Sequence, residues 1–247
     1  MRSKRYTTAV DSKGIIQTFK ILDYYADKTA DFIFDKCKSL EGVSRLYLPT
    51  PRLPYIEDQI HFFDVAPLGS QTYSYKERQI QWTHTHVKCI VHRMLTKNNY
   101  TSFWFSTVED TAADVIDRAK NVVNHFDFYV PVELKQFTYT SWEIEKVECK
   151  FIAFTSSPTN ITGKYPDDYT LDEVTKYKPQ SKYEEAKKEA IAACQTGRIW
   201  TNSTALTGNS FEHTIVAAPK KGLTHEDYLK TFWVPTRTEW LAAKRAA

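Results

Sequence analysis

The spacing of apolar side chains predicts helices on both sides of a strand-rich middle. Residues 15–40 repeat apolar positions at close to the helical period, and residues 111–126 do so more clearly. A third helix is predicted over 181–196, because Gly197 suits the position that follows a helix. The helix over 111–126 has a polar opposite face, so it is expected to pack its apolar side against a sheet.

The strongest β pattern lies at Gln79–Leu95, QIQWTHTHVKCIVHRML, which is rich in β-branched and aromatic residues. Its alternation changes phase near residues 83–86, which predicts a bulge or burial on both faces. Residues 100–108 return as the partner strand of a predicted hairpin. Residues 59–65 are predicted as a short strand, and 132–155 as one long bent strand or two strands.

This order of elements predicts the α+β class: a mostly antiparallel sheet with helices packed on one face, and a helical C-terminal segment. The core domain is expected over 1–155, followed by a loop-rich connection over 156–180 that contains several prolines. Residues 181–247 form a C-terminal segment of helices with a strand-like stretch at 198–218, packing on the core. The prediction is one domain overall.

The composition indicates a globular chain and bears on two kinds of site, glycine-rich phosphate loops and nucleic-acid-binding surfaces. Hydrophobic residues make up 42% and charged residues 26% of the 247 positions. Only 7 glycines occur, where average usage would give roughly seventeen, and no glycine-rich phosphate loop is found. The net charge of +3 leaves a nucleic-acid partner possible without indicating one.

The spacing of the cysteines and the length of the apolar stretches indicate in which cellular compartment the protein is expected. The chain has 4 cysteines, far apart and without a CxxC pair: Cys37, Cys89, Cys149 and Cys194. This spacing suits neither a zinc ribbon nor a disulfide framework, so a reducing compartment is expected. The basic start has no apolar stretch after it, which argues against a secretory signal, and no run of apolar residues is long enough to predict a membrane partner.

Aromatic residues make up 14% of the chain, and several form an apolar cluster near its C-terminus. Phe232, Trp233 and Trp240 lie there, where burial within one short segment is difficult, and such residues are enriched at interfaces. The favoured prediction is a non-catalytic assembly or interaction subunit of a larger particle, such as a viral or phage structural protein. Its partners would be other protein subunits, it would need no cofactor, and its location would be intracellular or the virion.

A pair of histidines suggests an alternative. On a strand, His84 and His86 would share a face with His92, because side chains alternate with a period of two. Two imidazoles at i and i+2 stand about 7 Å apart along a strand, a span that can chelate one divalent metal ion.

The run HTHVKCIV resembles the paired-histidine strand of HUH endonucleases, especially conjugative relaxases, and Tyr24-Tyr25 resembles their nucleophilic tyrosine cluster. The resemblance implies a metal-dependent single-strand DNA nuclease, with His84 and His86 as metal ligands and Tyr24 or Tyr25 as the nucleophile. The sequence also leaves open an enzyme whose site is assembled from scattered residues.

Overall fold

The computed structural model describes residues 18, 20–40, 47–66, 68–76, 81–106, 108–155, 165–177, 179 and 181–204. The helices with both ends within them are α1 (Thr29–Lys36), α2 (Pro54–Val65), α3 (Trp82–Thr96), α4 (Glu109–Asn124) and α5 (Ser181–Ala193), and residues 18 and 20–24 are helical as well. The strands are β1 (Lys38–Leu40), β2 (Tyr47–Pro49), β3 (Gln71–Lys76), β4 (Thr101–Phe105), β5 (Ser141–Ile144), β6 (Cys149–Phe154), β7 (Asp168–Leu171) and β8 (Arg198–Thr204). Short 3₁₀ helices occupy Val132–Lys135, Glu145–Val147 and Val174–Lys176.

Six strands form one mixed sheet in the order β3-β8-β7-β4-β6-β5, and β1 pairs with β2 in a small antiparallel ribbon. In the larger sheet β8 pairs in parallel with both β3 and β7, and β5 pairs antiparallel with β6. The predicted mostly antiparallel sheet is therefore wrong. Helices connect the successive strands from β3 to β4 and from β7 to β8, and parallel strands need crossovers of this length.

The central error concerns the segment that was predicted as the first strand of a hairpin. Residues 82–96 form the helix α3, and only β4 of that hairpin is a strand. Every residue from 85 to 96 is buried. When a helix is buried on all sides, its apolar residues are not confined to one face, so the sequence shows no helical period. The β-branched residues of α3 then make its sequence resemble that of a strand.

The buried polar residues of α3 are held by partners in neighbouring segments. Lys88 donates from Nζ to Thr50 Oγ1 at 2.7 Å, and burial lowers the pKa of this lysine. Arg93 donates from Nη2 to the carbonyl of Phe63 at 2.6 Å and lies 3.8 Å from Asp64 Oδ1. Charged groups are tolerated in such positions only when they are hydrogen-bonded in this way.

The other elements agree better with their patterns. The predicted helices over 111–126 and 181–196 are present as α4 and α5, and the strand-like stretch after Gly197 begins with β8. Residues 132–155 contain two strands, which agrees with the second of the two predicted alternatives, one long bent strand or two strands. Glu148 lies in the turn between them, with φ of 54°. Residues 59–65, predicted as a strand, belong to α2.

The chain divides into two compact, interleaved units: residues 1–65, 83–102 and 113–153 form the first, and 66–82, 103–112 and 154–247 form the second. The core of the first unit includes Phe32, Ile90 and Trp142. The predicted boundaries at 155 and 180 stay a prediction, since 156–164 and 205–247 lie outside the described residues together with the predicted C-terminal helices.

In the second unit a buried carboxylate joins the beginnings of two parallel strands. Asp168 Oδ1 accepts hydrogen bonds from Arg198 Nη1 at 3.2 Å and from Trp200 Nε1 at 2.9 Å. Asp168 is opposite Arg198 in the β7–β8 register. Because an Asp168 without these donors would leave a buried charge unpaired, the contacts favour one register of β7 against β8.

All four cysteines lie in the described part of the chain, where they are buried and form no disulfide bond. Within the described part of the chain, no helix has the length and apolar character needed to cross a membrane.

A buried histidine in the first unit gives the fold a pH dependence. His92 Nε2 donates to the carbonyl of Tyr25 at 2.7 Å, so Nδ1 is the atom that accepts from Thr29 Oγ1 at 3.2 Å. Burial lowers the pKa of His92 to about 4. The unfolded chain therefore binds a proton at a higher pH than the folded one, near 6.5.

We predict that the stability linked to His92 is complete above about pH 6.5 and is lost as the pH falls towards 4, by an amount on the order of 3 kcal/mol. Urea unfolding at pH 7 and pH 4.5 measures it. His92→Gln should be less stable at pH 7 and should lose less stability on acidification than the wild type. The exposed His61 provides the control, and an equal effect of His61→Gln would contradict the assignment.

Candidate functional site

The two histidines predicted as metal ligands lie on α3, not on a strand, so the reason to expect them on one face is removed. Residues two apart on a helix point about 200° apart around its axis. His86 is fully buried and its ring stacks on Phe63 with centroids 4.1 Å apart. His84 is half-buried and contacts Arg118, and burial with that guanidinium lowers the pKa of His84 to about 3.

The two tyrosines predicted as nucleophiles lie in different surroundings. Tyr24 is 61% exposed, and the Lys28 ammonium sits 3.5 Å from the centre of its ring. Tyr25 is buried and its hydroxyl donates to Asp35 Oδ2 at 3.1 Å. Burial and the Asp35 carboxylate raise the pKa of Tyr25 to about 12, which disfavours the phenolate that a nucleophile requires.

No group of three or more His, Cys, Asp or Glu side chains placed to hold a metal ion occurs among the residues that the structure describes. The predicted interface residues Phe232, Trp233 and Trp240 lie outside those residues, so their role stays a prediction.

A different arrangement of polar groups lies in the second unit, where three parallel strands end at the same edge. In β8, Thr201 is opposite Tyr73 of β3 on one side and Leu171 of β7 on the other. The chain after Leu171 leaves the sheet at this level, whereas β3 and β8 stay paired for three more residues, to Lys76 and Thr204, towards the same edge. Ligands of parallel α/β sheets bind at this carboxyl edge.

An acidic pair follows β7 at that edge. All four residues of β7 are buried, and Asp172 and Glu173 come directly after them. Asp172 is 4% exposed, and its N–H donates to the carbonyl of Phe105 at 3.0 Å. Glu173 adopts the left-handed conformation with φ of 49°, which is uncommon for this residue type and more frequent at functional sites.

The end of β8 holds the turn that carries the acidic pair. Asn202 Oδ1 accepts from the N–H of Glu173 at 3.4 Å. Ser203 Oγ accepts from the N–H of Thr175 at 3.2 Å and lies 2.5 Å from the Thr175 hydroxyl. These contacts fix the backbone after β7 against the strand beside it.

The segment after β3 has the position of a phosphate-binding loop but not its usual residues. The strand β3 leads through 77–80, which lie outside the described residues, to Gln81 and then to α3, which begins at Trp82. In a strand–loop–helix, the pattern G-x-x-x-x-G-K-[ST] cradles phosphates. When the final Ser/Thr of this pattern is aligned with Thr83, the second glycine of the pattern falls at Gln81 and its lysine falls at Trp82.

Gln81 adopts the left-handed backbone conformation, with φ of 60°, which glycine adopts more readily than other residues. Trp82 is 2% exposed, so it supplies a buried indole where the pattern supplies an ammonium group.

Comparison with known proteins places the fold. No protein-family model matches the chain, and no curated protein matches it. Among solved structures it is similar to the HK97 bacteriophage large terminase, with a TM-score of 0.60 and 17% identity over 81% of this chain and 42% of that chain. It is also similar to the Thermus phage P74-26 large terminase ATPase domain, with a TM-score of 0.47 and 16% identity over 68% of this chain and 70% of that one.

The chain spans less than half the length of the HK97 protein, and at this identity the likeness shows a shared fold. That fold is the finding that corrects the functional predictions. The assembly subunit was predicted from the aromatic residues near the C-terminus, and the paired-histidine nuclease required His84 and His86 on one strand, whereas both lie on α3. Both functional predictions are wrong for a chain with this mixed, mostly parallel sheet and the fold of this structural neighbour.

Asp172 and Glu173 were missed because their surroundings resembled a loop. Pro158, Pro166 and Pro179 flank a strand of only four residues, and Thr170 with Glu173 fitted the start of a helix. The available signal was the run YTL followed by two acidic residues, which is a buried strand ending in carboxylates.

The left-handed conformation of Gln81 leads to a prediction about the free energy of unfolding. A left-handed residue other than glycine is strained by about 1–2 kcal/mol, part of which is offset by the greater backbone freedom of glycine in the unfolded chain. We expect Gln81→Gly to raise the free energy of unfolding by about 0.5–1 kcal/mol in urea titrations. Asn99→Gly is the matched control, because Asn99 has φ of 54° and asparagine tolerates that conformation. A loss of stability in Gln81→Gly would contradict the assignment.

Proposed function

We propose that the second unit binds a nucleoside triphosphate with Mg²⁺ at the carboxyl edge of β3, β8 and β7, and hydrolyses it. The observation that carries the proposal is the pair Asp172 and Glu173, held at the end of a buried central strand by Asn202 of the next strand. An acidic residue at this place and a phosphate loop are the parts shared by enzymes that cleave the terminal phosphate of nucleotides.

The residues present fit Mg²⁺ in its usual protein environment. Mg²⁺ takes oxygen ligands and is commonly held by one or two carboxylates together with substrate phosphates. Asp172 is the carboxylate proposed to hold it, and bound Mg²⁺ would neutralise charge on the phosphate oxygens. The described residues contain no larger cluster of metal-ligating side chains, and a site of this kind does not need one.

Glu173 is proposed as the group that orients the attacking water. Its side chain is 19% exposed, so it can meet a substrate at the edge of the sheet. Its backbone is fixed by Asn202, and positioning of this kind supplies most of the catalysis in phosphoryl transfer.

Trp82 makes this site differ from the common phosphate loop. Without an ammonium group at the start of α3, less of the phosphate charge is neutralised by the protein. We therefore expect binding of the triphosphate to depend strongly on Mg²⁺, and chelation with EDTA should abolish it.

The likeness to the HK97 bacteriophage large terminase supports a wider proposal about context. We propose that this chain is a phage protein, acting inside the cell with other protein subunits. The net charge of +3 does not by itself favour a nucleic-acid partner.

We predict that Glu173→Gln lowers the rate of ATP hydrolysis by about 100-fold or more and leaves the binding of Mg²⁺-ATP within a few-fold of wild type, because the carboxylate that orients the attacking water is lost and the phosphate contacts remain. Phosphate release and isothermal titration calorimetry measure the two quantities. Asp172→Asn should weaken Mg²⁺-dependent binding itself.

The exposed Glu184 of α5 lies in the same unit and provides the matched control, Glu184→Gln. The proposal is abandoned if the wild type neither binds nor hydrolyses Mg²⁺-ATP, or if Glu173→Gln and Glu184→Gln reduce turnover equally.

A further inference from the structure

The turn after the acidic pair places a lysine beside the residue proposed to orient the water. Lys176 is the last residue of the 3₁₀ helix Val174–Lys176, and its Nζ lies 3.7 Å from Glu173 Oε2. The side chain of Lys176 is 56% exposed, and that of Glu173 is 19% exposed. The ammonium group therefore lies next to the carboxylate and remains in contact with solvent.

The backbone that carries Lys176 is held on both sides. The N–H of Lys176 donates to the carbonyl of Glu173 at 2.8 Å. Val174 is fully buried and Tyr177 is 3% exposed, and the ring of Tyr177 stacks on that of Phe105 with centroids 5.5 Å apart. The turn thus keeps Lys176 near Glu173, while the flexible four-carbon side chain can change direction.

The ion pair with Glu173 can be exchanged for another contact. The two side chains are three positions apart, both reach solvent, and the separation of 3.7 Å is long for a hydrogen bond. Exposed ion pairs of this kind contribute little to stability. An ammonium group is a compact charge with three donors, so a phosphate oxygen that arrives at this edge would compete with the carboxylate for it.

The segment after β3 lacks the cation that a phosphate loop normally supplies. In that pattern a lysine reaches the outer phosphates, and Trp82 stands in its place with 2% exposure. Through β8, the strands β3 and β7 run in the same direction, so the segments that follow them open towards the same edge. A cation that is missing after β3 is therefore present after β7, as Lys176.

We propose that Lys176 is a phosphate-binding residue that takes the place of the missing loop lysine: its ammonium group leaves Glu173 and donates to the terminal phosphate of a bound nucleoside triphosphate. This inference rests on the proposed function and adds the residue that recognises the terminal phosphate. When the ammonium group moves to the phosphate, the carboxylate of Glu173 becomes available to the attacking water. Recognition of the triphosphate and release of Glu173 then occur together.

The test is the variant Lys176→Met, which removes the charge and keeps an unbranched side chain. Calorimetry measures the binding of the Mg²⁺ complexes of ADP and of the non-hydrolysable analogue AMP-PNP. We expect the affinity for AMP-PNP to fall about 10- to 100-fold, the effect of losing a hydrogen bond between charged groups. The affinity for ADP should stay within about threefold of wild type, because ADP lacks the phosphate that the ammonium group meets.

Two further variants separate the charge from the structure around it. Lys176→Arg keeps a cation at the same place and should recover most of the affinity for AMP-PNP that Lys176→Met loses. Lys188→Met is the matched control, because it makes the same change at an exposed position of α5 in the same unit. It should change neither affinity, and thermal denaturation should show that all three variants are folded.

The outcomes distinguish this inference from the function on which it rests. If Glu173→Gln abolishes hydrolysis while Lys176→Met keeps the wild-type ratio of AMP-PNP to ADP affinity, the role of Lys176 is overturned and the nucleotide site stands. An equal loss of AMP-PNP affinity in Lys176→Arg and Lys176→Met would overturn it, because the charge would then be irrelevant. A higher kcat in Lys176→Met would also overturn it, because the lysine would then only restrain Glu173. If the wild type binds neither nucleotide, both proposals fail together.

Discussion

The parallel pairing of β8 with β3 on one side and β7 on the other is the constraint on which the proposed site depends. Because the three strands run in one direction, their carboxyl ends face the same edge, with Leu171 ending β7 three residues before the paired ends of β3 and β8 at Lys76 and Thr204. At the opposite ends of β7 and β8, buried Asp168 accepts from Arg198 and Trp200 and so favours a single register. A slip of one residue would reverse the side of every side chain in the strand.

The same register explains why Glu173 can adopt an unfavourable backbone. The hydrogen bond from its N–H to Asn202 and the contacts between Thr175 and Ser203 hold the turn from the neighbouring strand. Strained residues persist where the surrounding structure over-determines them, and such positions are frequent in active sites. The second strained residue of this unit, Gln81, stands where the chain turns into α3.

Much of the peripheral architecture could be predicted from the sequence, and the centre could not. The helix α4 has one buried face and one exposed face, so its period is visible in the residues. The helix α3 is buried on all sides from 85 to 96, and there the period disappears and valine, isoleucine and threonine suggest a strand. That one error placed His84 and His86 on a common face and made the sheet antiparallel.

The acidic pair was out of reach for a related reason. Recognising Asp172 and Glu173 as a site requires knowing that β7 is a central parallel strand, and four residues between prolines do not show this. The segment between β3 and α3 was equally concealed, because Gln81 and Trp82 occupy the positions of the glycine and the lysine in the phosphate-loop pattern. In both places the site is defined by topology, which a local pattern does not contain.

The central claim is that a nucleotide occupies the carboxyl edge of β3, β8 and β7. Hydrogen–deuterium exchange of the wild-type chain, with and without Mg²⁺ and AMP-PNP, tests it most directly. The account predicts slower exchange in peptides that cover 81–84, 172–176 and 201–204, with no change in the β5–β6 hairpin. Unchanged exchange in those three peptides at saturating nucleotide, or protection confined to the hairpin, would contradict it.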